Sequence, residues 1–232
     1  MTVLGSGSSG NTTLLEADGC SLLIDVGLGP RQIATRLATV GVSWPRIQGV
    51  LLTHTHGDHW NDRVFAHLLR QRIAVYCHPE HLTVLRAHCS CFAAMQRARL
   101  FRTYEQDREL SFTGLLRCRP LAVRHDSGAT FGFRFDGAAN LFSRAWSLGY
   151  VADLGCWDER LADALAGVDL LINAASYRVN LDAMRACLAA GCHYFDLGGL
   201  YHVTQEQLEL HAAFAQAGRL ALLGIGSSPG KT

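Results

Sequence analysis

The apolar-rich run Ile47 to Leu52 empties, with no turn residue between, into Thr53-His54-Thr55-His56-Gly57-Asp58-His59. A short apolar run of this length reads as a buried strand, and α/β folds place their chemistry at the carboxyl ends of such strands. Three histidines and an aspartate within six residues form a metal-binding pattern. In a loop, His54 and His56 can converge on one ion while Asp58 and His59 face a second. Imidazole and carboxylate ligands suit zinc, iron or manganese. Gly57 is expected to let the backbone turn sharply. A merely solvated polar loop is the bland alternative, and the apolar strand directly before it argues against that.

The surrounding pattern alternates strands and helices. Thr12 to Ala17 and Cys20 to Asp25 read as strands joined by an Asp18-Gly19 hairpin turn. Pro30 opens a helix that Gly41 ends. A helix (Trp60 to Arg70), a strand (Ile73 to Cys77) and a helix (Pro79 to Ala87) follow. Leu110 to Phe135 is strand-rich, and Leu148 to Ala152 is a strand that ends at Asp153. Beyond it come a helix from Trp157, a strand (Val168 to Ile172) and a helix (Leu181 to Ala190). A strand (His193 to Asp196), a helix (Thr204 to Ala217) and a strand (Leu220 to Ile225) close the chain.

With 232 residues, 49% of them apolar and 18% charged, the chain suits one α/β domain and argues against disorder. A formal net charge of +1 offers no strongly basic nucleic-acid surface. No signal-peptide pattern and no apolar run of about 20 residues is present, so a cytoplasmic protein that does not enter the membrane is expected. The eight cysteines read as reduced, buried small apolar residues. Cys89-Ser90-Cys91 brings two together but lacks a second pair at zinc-finger spacing. The helical or turn histidines (His67, His78, His81, His88, His211) read as surface or satisfied core residues. Arg97, Arg99, Arg102 and Arg108 read as a solvated face rather than a phosphate groove.

One loop supplies too few ligands for two ions. His125, in Val123-Arg124-His125-Asp126-Ser127-Gly128, and Asp153, in Gly149-Tyr150-Val151-Ala152-Asp153, stand at strand ends and are candidates to complete them. The combination His-x-His-x-Asp-His, His125 and Asp153 resembles the metallo-β-lactamase-fold superfamily. Leu4-Gly5-Ser6-Gly7-Ser8-Ser9-Gly10-Asn11 and His125-Asp126 resemble its small bacterial exonuclease and phosphodiesterase branch. Over residues 1–171 the resemblance implies an αββα sandwich with two divalent ions, zinc first and manganese or iron next. It implies His54, His56 and His125 on one ion, Asp58 and His59 on the other, and Asp153 between them. A metal-bridging hydroxide is then the expected nucleophile, oriented by Asp58. Thr53, Thr55 and Asp126 are candidates to hold the imidazole tautomers. Gly5 to Gly10 either offers N–H groups to a phosphate or forms a tight turn.

From about residue 172 the chain departs from that pattern. Asn173-Ala174-Ala175, Cys187 to Gly199 and Gly224 to Gly230 resemble an interior piece of a saccharopine-dehydrogenase-type reductase. The expectation is therefore a chimera, with residues 172–232 supplying the last α/β layer. Without a strand–Gly-x-Gly-x-x-Gly–helix unit, no nicotinamide cofactor is expected. His202, before a helix that Thr204 would cap with Gln207 in capping-box position, is proposed to complete the second ion's ligands and the catalytic set. His193 is a weaker substitute.

The function expected is metal-dependent hydrolysis of phosphodiesters, small-molecule or nucleic-acid. Hydrolysis of a lactam, lactone or ester, and a metal-binding chimera with little or no activity, remain the alternatives. An oxidoreductase inherited from the tail lacks its phosphate loop. An unusual C-terminal layer leaves a homodimer open.

Overall fold

The computed structural model describes residues 1–126, 128–141 and 143–225. The chain forms two compact units, Met1–Arg108 and Glu109 onward.

The first unit holds a six-stranded sheet in chain order: β1 (Thr2–Gly5), β2 (Thr12–Ala17), β3 (Cys20–Ile24), β4 (Gly49–Leu51), β5 (Ala74–Cys77) and β6 (Phe101–Thr103). β1, β2 and β3 pair antiparallel, and β3 to β6 pair parallel. Asp18 (φ 51°) and Gly19 (φ 77°) both adopt the positive φ that a two-residue hairpin turn requires. The parallel connections run through α1 (Pro30–Thr39), α2 (Asp62–Gln71), and α3 (His81–His88) with α4 (Phe92–Arg97). Ile33 and Leu37 of α1, and Val64, Phe65 and Leu68 of α2, are buried at helical spacing. They pack in one core with Leu23, Val50 and Val75 from the sheet.

The second unit holds a seven-stranded sheet: β7 (Leu110–Ser111), β8 (Leu116–Val123), β9 (Thr130–Gly137), β10 (Trp146–Ala152), β11 (Leu170–Ala174), β12 (His193–Asp196) and β13 (Ala221–Leu222). β7 to β10 pair antiparallel and β10 to β13 parallel. α5 (Glu159–Ala164), α6 (Asn180–Ala190), α7 (Tyr201–Leu208) and α8 (His211–Gln216) link the parallel strands. Val151, Leu171, Met184, Tyr194 and Phe214 share its core.

Three expectations change. The stretch before Leu110, read without elements, holds α4 and β6; Phe92 and Met95 of α4 are buried, while Arg97, Arg99, Arg102 and Arg108 are exposed as a solvated face. The helix expected from Thr204 to Ala217 is two helices, and Thr204 does not cap either. The N-cap of α7 is Leu200, and Thr204 Oγ1 donates back to the Leu200 carbonyl at 3.4 Å. Gln207 is buried, and its Nε2 donates to Asp196 Oδ2 at 2.6 Å instead of closing a capping box. Finally, the junction placed at 171/172 falls inside β11, which pairs in parallel with β10 on one side and β12 on the other. The supposed graft therefore continues a sheet already begun. Of Gly224 to Gly230, residues 226–230 lie outside the described residues, as does Ser127. Among the described residues no helix is long and apolar enough to cross a membrane.

Candidate metal centre

β3 and β4 pair in parallel with Ile24 opposite Leu51, so Asp25 and Thr53 leave the sheet at the same edge. Asp25 is only 1% exposed. A buried carboxylate is costly unless hydrogen-bonded, and Asp25 accepts three bonds. Thr53 N–H donates to Oδ1 at 2.8 Å, Thr53 Oγ1 donates to Oδ2 at 2.8 Å, and His59 Nδ1 donates to Oδ2 at 2.7 Å. The Thr53 hydroxyl, its proton committed to Asp25, accepts from His54 Nδ1 at 3.0 Å. One carboxylate thus assigns the Nδ1–H tautomer to both buried imidazoles, which makes Nε2 the ligating nitrogen of each.

The rings of His54 and His59 lie 4.0 Å apart, and those of His54 and His56 4.8 Å apart. Ligand atoms of His54 and His56, and of His54 and His59, fall within 4.8 Å of each other. Asp58 stands beside them, with Oδ2 3.7 Å from His59 Nε2. Imidazoles with assigned tautomers next to a half-exposed carboxylate fit a zinc-class ion.

The glycine-rich segment braces this loop. Asn11 Nδ2 donates to Asp58 Oδ2 at 3.0 Å and lies 2.9 Å from His59 Nε2. Asn11 N–H donates to the Asp58 carbonyl at 2.7 Å. A Cβ on Gly27 would lie 1.7 Å from that same carbonyl oxygen, so only glycine fits there. The N–H of Gly7 goes to Asn11 Oδ1 and that of Gly10 to the Gly7 carbonyl, so Gly5 to Gly10 includes a tight turn. Gly57 does not have positive φ, and a Cβ there would meet open space, so the loop does not need its flexibility.

In the second unit, β8 and β10 are both antiparallel to β9 and so run the same way. His125 follows β8 and Asp153 follows β10. The two ends are tied by Gly155 N–H donating to the Arg124 carbonyl at 2.7 Å. Asp126 Oδ1 lies 3.1 Å from His125 Nε2. A cavity of about 470 Å³ is lined by Arg124, His125, Asp126, Asp153, Ser176 and Arg178. Asp153 (φ 47°) and Asp25 (φ 59°), each just past a core strand, are both left-handed. Such strain in a non-glycine residue clusters at functional sites.

Thr53 therefore holds a tautomer, as expected. Thr55 offers its backbone carbonyl to Trp60 Nε1 at 3.1 Å. His202 lies exposed in the first turn of α7, and among the described residues it joins no group of side chains close enough to share an ion. His193 is engaged on β12, its Nδ1 accepting from Leu220 N–H at 2.9 Å. Asp25, Asn11 and Arg178 were missed. Asp25 alone left a signal, an acidic residue directly after the all-buried β3.

A family model described as a β-lactamase superfamily domain matches residues 21–225. The chain belongs to this family. Its match runs through the whole of 172–225, so the tail lies within the superfamily domain and the reductase-derived layer gains no support. The chain is 25% identical over 180 residues to the exodeoxyribonuclease WalJ of Streptococcus pneumoniae, covering 78% of this chain and 63% of WalJ. It thus spans under two thirds of the curated relatives it first matches. A diphosphatase of the PhnP family superposes with a TM-score of 0.60 at 17% identity, over 84% of each chain. Zn²⁺-bound PqqB from Methylobacterium extorquens gives 0.58 at 16% identity, over 92% of this chain and 85% of PqqB.

Proposed function

We propose that the chain is a divalent-metal-dependent hydrolase of phosphodiesters, with nucleic acid among its substrates. The observation that carries this is Asp25, whose single carboxylate presents the Nε2 atoms of His54 and His59 as ligands. In this reading His54, His56 and His125 would hold one ion and Asp58 and His59 a second, with Asp153 serving both. The fold in this reading is the αββα sandwich of the metallo-β-lactamase family, whose domain match takes in residues 172–225. Zinc is favoured by the ligand set and by zinc in PqqB.

Bound divalent ions supply Lewis acidity and a water acidic enough to ionise near neutral pH. The chain's own residues do the rest. Asp58 orients the attacking water and accepts its proton. Arg124 and Arg178, which line the cavity with His125 and Asp153, bind phosphoryl oxygens. The phosphodiester substrate class is supported by the similarity to the exodeoxyribonuclease WalJ.

The test is metal analysis of the purified chain with a substrate panel: a chromogenic phosphodiester, single-stranded DNA, a lactone and a β-lactam. Turnover of phosphodiesters, lost on chelation and restored by zinc, is expected. Turnover of the lactone or β-lactam with both phosphodiesters untouched would overturn the assignment.

A further inference from the structure

A separate group of ligating side chains sits at a helix junction of the first unit. Asp62 is the first residue of α2, Cys89 caps the end of α3, and Cys91 caps the start of α4. The Cys89 and Cys91 sulfurs are 3.6 Å apart. A ligand oxygen of Asp62 and both sulfurs lie within 4.8 Å of one another. The sulfur separation is far beyond a disulfide bond of about 2.05 Å. It is close to the roughly 3.8 Å between two sulfurs on one tetrahedral zinc, given Zn–S bonds of about 2.3 Å.

The carboxylate is also aimed. Ser90 N–H donates to Asp62 Oδ1 at 2.8 Å and Ser90 Oγ to Oδ2 at 2.8 Å. Each oxygen keeps a further lone pair, so the serine orients Asp62 as outer partners orient metal ligands. Cys89 is buried, whereas Asp62 and Cys91 are partly exposed, which gives an ion a way in.

We propose that Asp62, Cys89 and Cys91 form a second cation site, taking one thiophilic divalent ion of the zinc class and fastening the start of α2 to the α3–α4 corner. Water completes the coordination. Binding releases the two S–H protons to solvent, with no change of oxidation state. The role is structural. Asp62 follows His59 by three residues, so the ion would stiffen the exit of the histidine loop without belonging to it.

Cobalt(II) titration of chelator-stripped protein tests this, because only thiolate ligands give sulfur-to-cobalt charge-transfer absorption in the near ultraviolet. The expected result is one equivalent of this absorption in the wild type. It should persist in His54→Ala and vanish in Cys91→Ala and Cys89→Ala. Zinc should also raise the melting temperature of His54→Ala but not of the double variant His54→Ala/Cys91→Ala. As a check independent of folding in the variants, Cd²⁺ should slow alkylation of Cys91 in the wild type at least tenfold, mapped by mass spectrometry. Absence of the absorption from the wild type, its survival in Cys91→Ala, or an alkylation rate unchanged by Cd²⁺ would each overturn the site. Freshly purified protein carrying a Cys89–Cys91 disulfide that binds no cobalt after reduction would do the same.

Discussion

Asp25 Oδ2 lies 2.7 Å from His59 Nδ1, with both side chains at most 2% exposed. That contact, relayed through Thr53 to His54, orients two candidate ligands from a residue that, among the described residues, joins none of the candidate ligand groups. Asn accepts the left-handed backbone of this position, so Asp25→Asn removes the charge with little added strain. Zinc affinity, measured against a competing chelator, is expected to fall roughly 10- to 100-fold with the fold intact. Asp25→Ala also leaves the buried Thr53 N–H without its acceptor, at a cost of about 1–3 kcal/mol. Unchanged zinc affinity in Asp25→Asn would remove Asp25 from the centre.

Two glycines beside the loop should respond in opposite ways. The Cβ of Gly27→Ala would meet main chain, the Asp58 carbonyl oxygen at 1.7 Å, where no side chain can step aside. Stability should drop by about 1–3 kcal/mol or more, as in overpacked cores, and metal occupancy should fall with it. Gly57→Ala meets open space and should stay within about 0.5 kcal/mol of the parent. Urea midpoints of the two variants give the comparison.

Arg178 lines the cavity of His125 and Asp153, while Arg124 already has Asp158 at 3.3 Å. Arg178→Ala is expected to lower kcat/KM for a phosphodiester by roughly 10- to 100-fold, corresponding to one charge-assisted hydrogen bond of about 1.5–3 kcal/mol. Metal content should not change, and Arg178→Lys should recover only part of the loss because the planar fork is gone. An unaltered kcat/KM would place substrate elsewhere.

His202 and His54 separate sequence pattern from geometry. His202 is exposed on α7, so His202→Ala should retain the metal content of the parent. His54 is fully buried at the centre of the imidazole group, so His54→Ala should empty its ion. Metal loss in His202→Ala would restore that histidine to the ligand set.

Local chemistry was legible in the chain; partnerships across sheet neighbours were not. The Asp18-Gly19 turn, α1 from Pro30 and the histidine loop follow from residues within a few positions of each other, and the structure has them where expected. Asp25 is 34 residues from His59. Only the parallel pairing of β3 with β4 makes them neighbours, and no periodicity reports a register. The tail misled for a related reason. His202-Val203-Thr204 looked like a capped helix entry, but the residue that decides is Gln207. Its amide is drawn into the core by Asp196, which also accepts from Gly198 and Gly224 N–H groups.

His67 offers a test at lower pH. Its ring lies 4.6 Å from Trp44, and burial first, then the Arg70 guanidinium, hold its pKa below the usual value. In the unfolded chain the site titrates near pH 6.5. Between that pH and its lower folded value, the unfolded chain binds more protons here, so folding loses stability as pH falls through this window. Above it both states are neutral and the site contributes no slope. His67→Gln removes the titration. Compared with the variant, the wild type should therefore lose stability as pH falls below about 6.5, with a constant difference well above that pH. Urea midpoints across that range supply the measurement. A wild type that gains on the variant as pH falls would mean that His67 is stabilised in its charged form, the reverse of what its burial requires.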